Sequence, residues 1–403
     1  MINDNSKVIS VLYIHHCADF GGSSRSLLET INAFPEKSVQ PVLISPKGST
    51  ADYYSKFDIP AIKVLGISIF DNSEYSYYRS LRWLILVREF LYLPSTIYSI
   101  YKAKRIFKNI DIIHVNEILP ILSIILAKKI FRKPIVLHVR SVQRKNLDSF
   151  RSTFINWVLK KYTDSIVSID ETVRLSLPES ITVSVIHNGF DAFSKITTLS
   201  SKQENTFKNS KIVIGIVGNY LYVKGVIDFI NAAKICIEKG LDIEFWMIGD
   251  NGKQKKSILK KYFKYSQDAR EEIVDFINEN KLEDKIKLIP FTTNITSYYQ
   301  QIDILCFPSH FNAPGRPIFE AGVFKIPSIV AVEEPTSDTI VNHQSGICIQ
   351  PKNVEKLAEA MQFFYDNPKE IVRMGQGAYE LSQQNFDIKK NALKLLHIYQ
   401  SLL

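Results

Sequence analysis

Short apolar runs rich in Val and Ile alternate along the chain with longer stretches in which apolar positions return every third or fourth residue. The runs VISVLYI (8–14), PVLIS (41–45), DIIHV (111–115), PIVLHV (134–139), SIVSI (165–169) and VSVIH (183–187) read as buried strands. Helical patterns separate them, which predicts a parallel sheet with crossover helices. The same alternation begins again with KIVIGIVG (211–218) and continues through IEFWMIG (243–249), IKLIP (286–290), DILCFP (303–308), PSIVAV (327–332) and GICIQ (346–350). Two doubly wound α/β sheets are therefore predicted, in a first domain over 1–190 and a second over 211–387. Between them, 191–210 (DAFSKITTLSSKQENTFKNS) has neither period and reads as a linker. The last stretch, 388–403, spaces Ala392, Leu395, Leu396 and Tyr399 as one helix face and is expected to pack back on the first domain.

Length agrees with this division, because 403 residues exceed what one hydrophobic core usually serves. Hydrophobic residues at 45% and charged residues at 23% exclude a disordered or fibrous chain. Cys17, Cys236, Cys306 and Cys348 have no metal or redox spacing and fit a reducing cytoplasm. The opening MINDNSKVIS has no basic segment leading into an apolar one, so no secretory signal is expected. Of two apolar stretches, Leu81–Ile100 is broken by Arg82, Arg88, Glu89 and Pro94, and Ile118–Ala127 is too short to span a bilayer and reads as a buried helix.

Charge changes the picture in one place. The first 200 residues carry 25 Lys and Arg against 17 Asp and Glu, whereas the remainder is nearly balanced at 25 against 24. Tyr78–Ile110 holds Arg79, Arg82, Arg88, Lys102, Lys104, Arg105 and Lys108 but one acid, Glu89, interleaved with Trp83, Phe90, Tyr92, Tyr98, Tyr101 and Phe107. Two readings stay open: a solvated helix whose aromatics pack inward, or a segment that contacts an anionic membrane at the inner face of the cell. No nucleic-acid motif is present, and nucleic acid is not expected as a partner.

Ligands of doubly wound sheets collect where strands end, so the loops after strands are where chemistry is expected. HHCADFGGSSRSLLE (15–29) places Gly21 and Gly22 before a helical run, where backbone can approach an anion. A plain turn explains the glycines equally well, and the absence of GxGxxG argues against ordinary dinucleotide binding. In IVGNYLYVKGVIDFINAA (216–233), Gly218 ends a strand, Asn219 follows, and Lys224-Gly225 opens a helix, so Lys224 is placed as a phosphate clamp or a solvated surface lysine. MIGDN (247–251) brings Gly249 and Asp250 to a strand end. FPSHFNAPGRPIFEAGVFKIPSIVA (307–331) offers backbone amides near Gly315 and Arg316, then a short helix bearing Glu320. His114 and His138 read as strand histidines packed in the core, and His15, His16 and His310 as residues of loop mouths. Asn188-Gly189 reads as a tight turn.

Taken in order, the GG loop, DIIHVNE (111–117), PIVLHVRS (134–141), SIVSIDE (165–171), VIHNGFD (185–191), the VG-to-KG loop, MIGDN, YYQQIDILCFPS (298–309) and FEAGVFKIPSIVA (319–331) resemble the retaining glycosyltransferases of family 4 over nearly the whole chain. The resemblance implies a GT-B fold, two Rossmann-like domains facing across a cleft. It implies a nucleoside-diphosphate sugar as donor, held by the second domain, with Lys224 on the diphosphate and Glu320 accepting from the ribose hydroxyls. The base would sit on backbone near Pro290 and Phe291, and Gly22 would approach the diphosphate as the domains close. No cofactor and no metal is implied, since Lys224 and helix N-termini would neutralise the leaving group.

Three positions depart from the family pattern. Asn312 stands where a first glutamate is usual, Asn219 where an arginine is often found, and Arg140 where the strand usually ends in a histidine. Asn312 can still bond a sugar hydroxyl, and Arg140 can bind a phosphate or acceptor oxygen but cannot act as a base. The reading is glycosyl transfer with retention to a hydroxyl acceptor, a glycan or lipid-linked intermediate of surface polysaccharide synthesis, in the cytoplasm. The competing readings are a catalytically weakened binding protein of the same fold and another sugar-nucleotide enzyme such as an epimerase.

Overall fold

The computed structural model describes residues 7–73, 85–144, 149–190, 211–250, 268–292 and 294–403. The linker expected over 191–210, Asn251, and Arg79, Arg82 and Trp83 of the basic segment lie outside the described residues. The chain divides into two compact units, Met1–Asp191 with Phe386–Leu403, and Ala192–Asn385.

The first unit holds seven strands, β1 (Ile9–Ile14), β2 (Val39–Pro46), β3 (Ala61–Val64), β4 (Ile112–Asn116), β5 (Ile135–Val139), β6 (Ser165–Ser168) and β7 (Ser184–Val185). They lie in the order β3-β2-β1-β4-β5-β6-β7, and every pairing is parallel. The helices are α1 (Gly22–Ala33), α2 (Ser49–Ser55), α3 (Ile85–Ile106), α4 (Ile121–Phe131), α5 (Phe150–Tyr162) and α6 (Glu171–Leu175). As expected, the second apolar stretch is a buried helix: α4 buries Ile121, Ile124, Ala127 and Phe131. β3 escapes the sequence pattern because AIKV is a four-residue edge strand with Lys63 pointing out.

In the second unit β8 (Ile212–Val217), β9 (Ile243–Asp250), β10 (Ile286–Pro290), β11 (Ile304–Phe307), β12 (Ser328–Ala331) and β13 (Gly346–Ile349) form a parallel sheet in the order β10-β9-β8-β11-β12-β13. Each of the six runs read as strands here is one. Its helices are α7 (Val226–Glu238), α8 (Arg270–Glu279), α9 (Thr296–Tyr299), α10 (Arg316–Val323), α11 (Val354–Asp366) and α12 (Pro368–Asn385).

A final helix, α13 (Ile388–Ser401), belongs to the first unit and packs on α1. Asp387 caps it, accepting from the Lys389 and Lys390 amides at 2.9 and 3.1 Å. Leu395, Leu396 and Tyr399 join Tyr13, Leu27 and Leu43 in one core. Entry into α13 explains Gly189, for a Cβ there would stand 2.4 Å from the Ile388 Cα. Close backbone approach, not a tight turn, therefore requires that glycine.

Candidate functional site

The strand ends of the second unit gather most of the predicted residues. Gly218 follows β8 with φ +147°, and its amide donates to the Ile248 carbonyl at 2.9 Å. Gly249 has φ +123°, and a Cβ on it would lie 2.5 Å from the Gly218 oxygen. The close approach of the two strand ends requires glycine at 249, and the positive φ favours it at both positions. Asn219 follows, exposed, and a short turn over Tyr222–Lys224 leads to Gly225 at φ +69°, where a Cβ would clash with the Pro308 oxygen at 1.9 Å. That close approach presses the lysine turn against the loop after β11, and the Val223 carbonyl accepts from the His310 amide at 2.9 Å.

Lys224 is thereby carried into an aromatic niche. Its ammonium sits 5.7 Å from the Phe307 ring centre and 5.2 Å from that of Phe311. Burial lowers its pKa, and among the described residues no carboxylate pairs with it. A partly desolvated cation stabilised by ring faces alone is prepared for an anion. Gly315 caps α10 against the same ring, since a Cβ there would be 2.3 Å from Phe307 Cζ. Lys224 and the amides opening α10 thus flank one phenylalanine.

One turn into α10, the buried Glu320 accepts from Arg316 Nε at 2.7 Å and from the Tyr299 hydroxyl at 3.0 Å. Tyr299 is itself held by stacking on Phe324. A carboxylate offers about four lone-pair sites, so it can accept from several donors at once. Arg316, expected among donor contacts, orients that carboxylate.

Other predicted contacts are otherwise engaged. Asp250 forms a two-pronged pair with Arg270, at 2.6 and 2.9 Å, and its carbonyl takes the Phe291 amide at 3.0 Å. Phe291 therefore has its carbonyl but not its N–H to give a base, beside an exposed ring. Asn312 adopts φ +47°, a conformation Asn tolerates, and its Oδ1 accepts from the Glu333 amide at 2.7 Å. Only the Nδ2 side of that amide remains for a sugar. His310, at a loop mouth, bonds Asp228 at 2.8 Å. Nothing in the sequence pattern marks Tyr299, Arg270 or Asp228 as partners, because such pairs join separate elements.

The first unit has a different mouth. Gly21 caps α1 in extended conformation, and a Cβ on Gly21 or Gly22 would meet nothing within 4 Å. Neither backbone strain nor packing calls for glycine there, which removes the plain-turn explanation. Arg140 donates to Asn116 Oδ1 at 2.6 Å and to the Asn188 side chain, with His138 Nδ1 at 3.4 Å. Beside it, Glu117 is buried at φ +125°, accepting from the Ile118 amide and the Ser141 hydroxyl, and burial raises its pKa. His114 and His138 are core histidines as expected. His15 is buried as well, contrary to its expected place at a loop mouth, with Nε2 2.8 Å from Ser24 Oγ and Nδ1 2.9 Å from Asn116 Nδ2. Burial depresses His15, His16 and His114, the last two to about 4 and about 3.

Each unit also matches a known family. Residues 198–381 match the family described as Glycosyl transferases group 1, and residues 20–192 match Glycosyltransferase Family 4. The chain belongs to these glycosyltransferases. Its fold is GT-B: over 98% of its length it aligns with all of the Anabaena HepE structure solved with UDP, at TM-score 0.73 and 16% identity. A Rickettsia africae glycosyltransferase aligns over 98% of this chain and 99% of its own, at TM-score 0.73 and 19% identity. In sequence this chain is 23% identical to the capsular polysaccharide biosynthesis glycosyltransferase CapM of Staphylococcus aureus, over 56% of this chain and 59% of that protein. The chain spans 59%, 35% and 46% of the lengths of three curated relatives.

Proposed function

We propose that the protein transfers a glycosyl unit from a nucleoside-diphosphate sugar to a hydroxyl acceptor, with retention at the anomeric carbon. The observation that carries this is Lys224: a half-buried ammonium without a carboxylate partner among the described residues, at a strand-end turn shaped by Gly225, on the ring that also seats the N-terminus of α10. Lys224 holds the diphosphate and, with the amides opening α7 and α10, stabilises the charge that grows on it as the sugar leaves. The compensating positive charge is protein-borne, so the reaction is proposed to run without metal, and the donor is a co-substrate rather than a bound cofactor. Glu320, aimed by Arg316 and Tyr299, accepts from the ribose hydroxyls. Gly218 and Gly249 give the nucleotide close access to backbone, and Gly21 and Gly22 leave room for an anion at α1.

HepE was solved with UDP and with UDP-glucose, which supports a sugar nucleotide as donor. CapM's part in capsular polysaccharide biosynthesis supports a glycan or lipid-linked glycan as acceptor. Thermal-shift titration with UDP, GDP, ADP and CMP, beside a transfer assay, tests the reading. A diphosphate nucleotide is expected to raise the melting temperature, and Lys224→Ala to abolish most of that rise. A wild-type protein indifferent to all four nucleotides sinks the reading. A second reading, a donor-binding protein without turnover, is favoured by Asn312, whose side-chain Oδ1 is used internally; it predicts binding with no release of sugar from any donor.

A further inference from the structure

α3 turns its apolar side to solvent. At about 100° per residue, Val87, Leu91, Pro94, Tyr98, Tyr101 and Arg105 fall in one stripe, and Phe90 flanks it. These side chains are exposed, Phe90 by 75%, Leu91 by 68%, Tyr98 by 58% and Tyr101 by 56%. The opposite side carries the polar groups that anchor the helix. Glu89 Oε2 accepts from the Ile69 amide and Thr96 Oγ1 from the Ser68 amide, both at 2.8 Å, while Ser99, Ile100 and Ala103 are buried. Tyr92 alone of the helix's aromatics packs inward, against Gly66, where a Cβ would meet its ring at 2.7 Å. Of the two sequence readings, inward-packed aromatics therefore fails for Phe90, Tyr98 and Tyr101.

The charge on this face has one sign. Arg88, Lys102, Lys104, Arg105 and Lys108 surround the stripe, and the single acid from 85 to 110, Glu89, is buried and paired with Arg88. The Lys102 ammonium lies over the Tyr98 ring at 5.6 Å, so the cations edge the apolar ridge. No helix among the described residues is long and apolar enough to cross a membrane. A hydrophobic ridge bordered by cations, on a helix about 33 Å long, is the chemistry of a helix that lies in a membrane interface. A second copy fits worse, because a two-fold contact through this face would set cations against cations.

We propose that α3 docks the protein on an anionic lipid bilayer, lying flat with Val87, Phe90, Leu91, Tyr98 and Tyr101 at head-group depth and Lys102, Lys104 and Arg105 on lipid phosphates. This goes beyond the transfer reading and stands without it, since docking requires no sugar nucleotide.

Sedimentation of the full chain with vesicles of phosphatidylglycerol, and separately of phosphatidylcholine, tests it. Binding to the anionic vesicles, weakened by salt, and none to the neutral ones is expected. The triple variant Lys102→Ser, Lys104→Ser, Arg105→Ser should lose about fivefold in partition for each charge removed. The quadruple variant Phe90→Ser, Leu91→Ser, Tyr98→Ser, Tyr101→Ser should lose on the order of a hundredfold. Unchanged binding by the triple variant, or no binding of the wild type to phosphatidylglycerol, overturns the proposal. So does a wild-type dimer in light scattering that the quadruple variant converts to monomer. If the quadruple variant melts early, the triple variant, which replaces exposed or edge cations, is sufficient to support or overturn the proposal alone.

Discussion

The two strand-end mouths use their cations in opposite ways. In the first domain Arg140 is a hub: it bonds Asn116 and Asn188, lies against His138, and shares its strand end with the buried Glu117. In the second domain Lys224 touches rings only, among the described residues. A cation that satisfies buried acceptors is part of the framework, whereas one left with ring faces is available to a ligand. The first mouth is wired internally and the second is poised, so equivalent substitutions at the two should fail differently.

Acid should separate the domains most strongly. Among the described residues the buried histidines, His15, His114, His138 and His187, all lie in the first unit. His15, His16, His114 and His138 have folded-state values below the ordinary one of about 6.5. The unfolded chain therefore binds protons that the folded domain refuses. Stability is present above about pH 6.5 and falls with pH below it, toward about 4 for His16 and about 3 for His114, by up to about 1.4 kcal/mol per pH unit for each group. Urea unfolding of a Trp246→Phe variant, whose remaining tryptophans are in the first unit, should shift to lower urea between pH 7 and pH 5. A midpoint that does not move would contradict the buried neutral network.

Next in size is Arg140→Ala. It strands the Asn116 and Asn188 oxygens and should cost about 3 kcal/mol of first-domain stability, at about 1–3 kcal/mol per orphaned acceptor. The same fluorescence reports it, and an unaltered midpoint would make Arg140 a ligand group rather than a hub.

Lys224→Ala sharpens the contrast from the other side. It orphans nothing, so the melting temperature should hold or rise. Nucleoside-diphosphate affinity should fall by about 1.5–3 kcal/mol, the range for a charge-assisted bond, with turnover falling further as charge builds on the leaving group. Calorimetry beside the transfer assay separates these, and normal transfer by folded Lys224→Ala removes the site. The smallest expected change is Glu320→Gln, about tenfold in nucleotide affinity for about 1.4 kcal/mol, since shape is kept while acceptance from hydroxyls and from Arg316 weakens. Equal losses for nucleotide and free phosphate would move Glu320 off the ribose.

Local pattern carried the fold and singled out many of the candidate positions. Buried parallel strands are continuous Val and Ile runs, and Gly218, Gly249 and Gly225 stand out in sequence because their backbone conformations at strand ends favour glycine, while Gly315 makes room for the Phe307 ring. Lys224 and Glu320 are candidates for a different reason, each lying on the segment that follows a strand of the second unit. What lay beyond sequence reasoning was the partner of each side chain. Arg270 on Asp250, Tyr299 on Glu320, Asn188 on Arg140 and the Glu333 amide on Asn312 join elements far apart in the chain, and no periodicity specifies which polar groups will meet. Composition likewise marked the segment around α3 as basic and aromatic, but only its packing decided which way the rings face. That choice follows from Glu89 and Thr96, whose bonds to the Ile69 and Ser68 amides pin one side of the helix to the domain and leave Phe90, Tyr98 and Tyr101 outside.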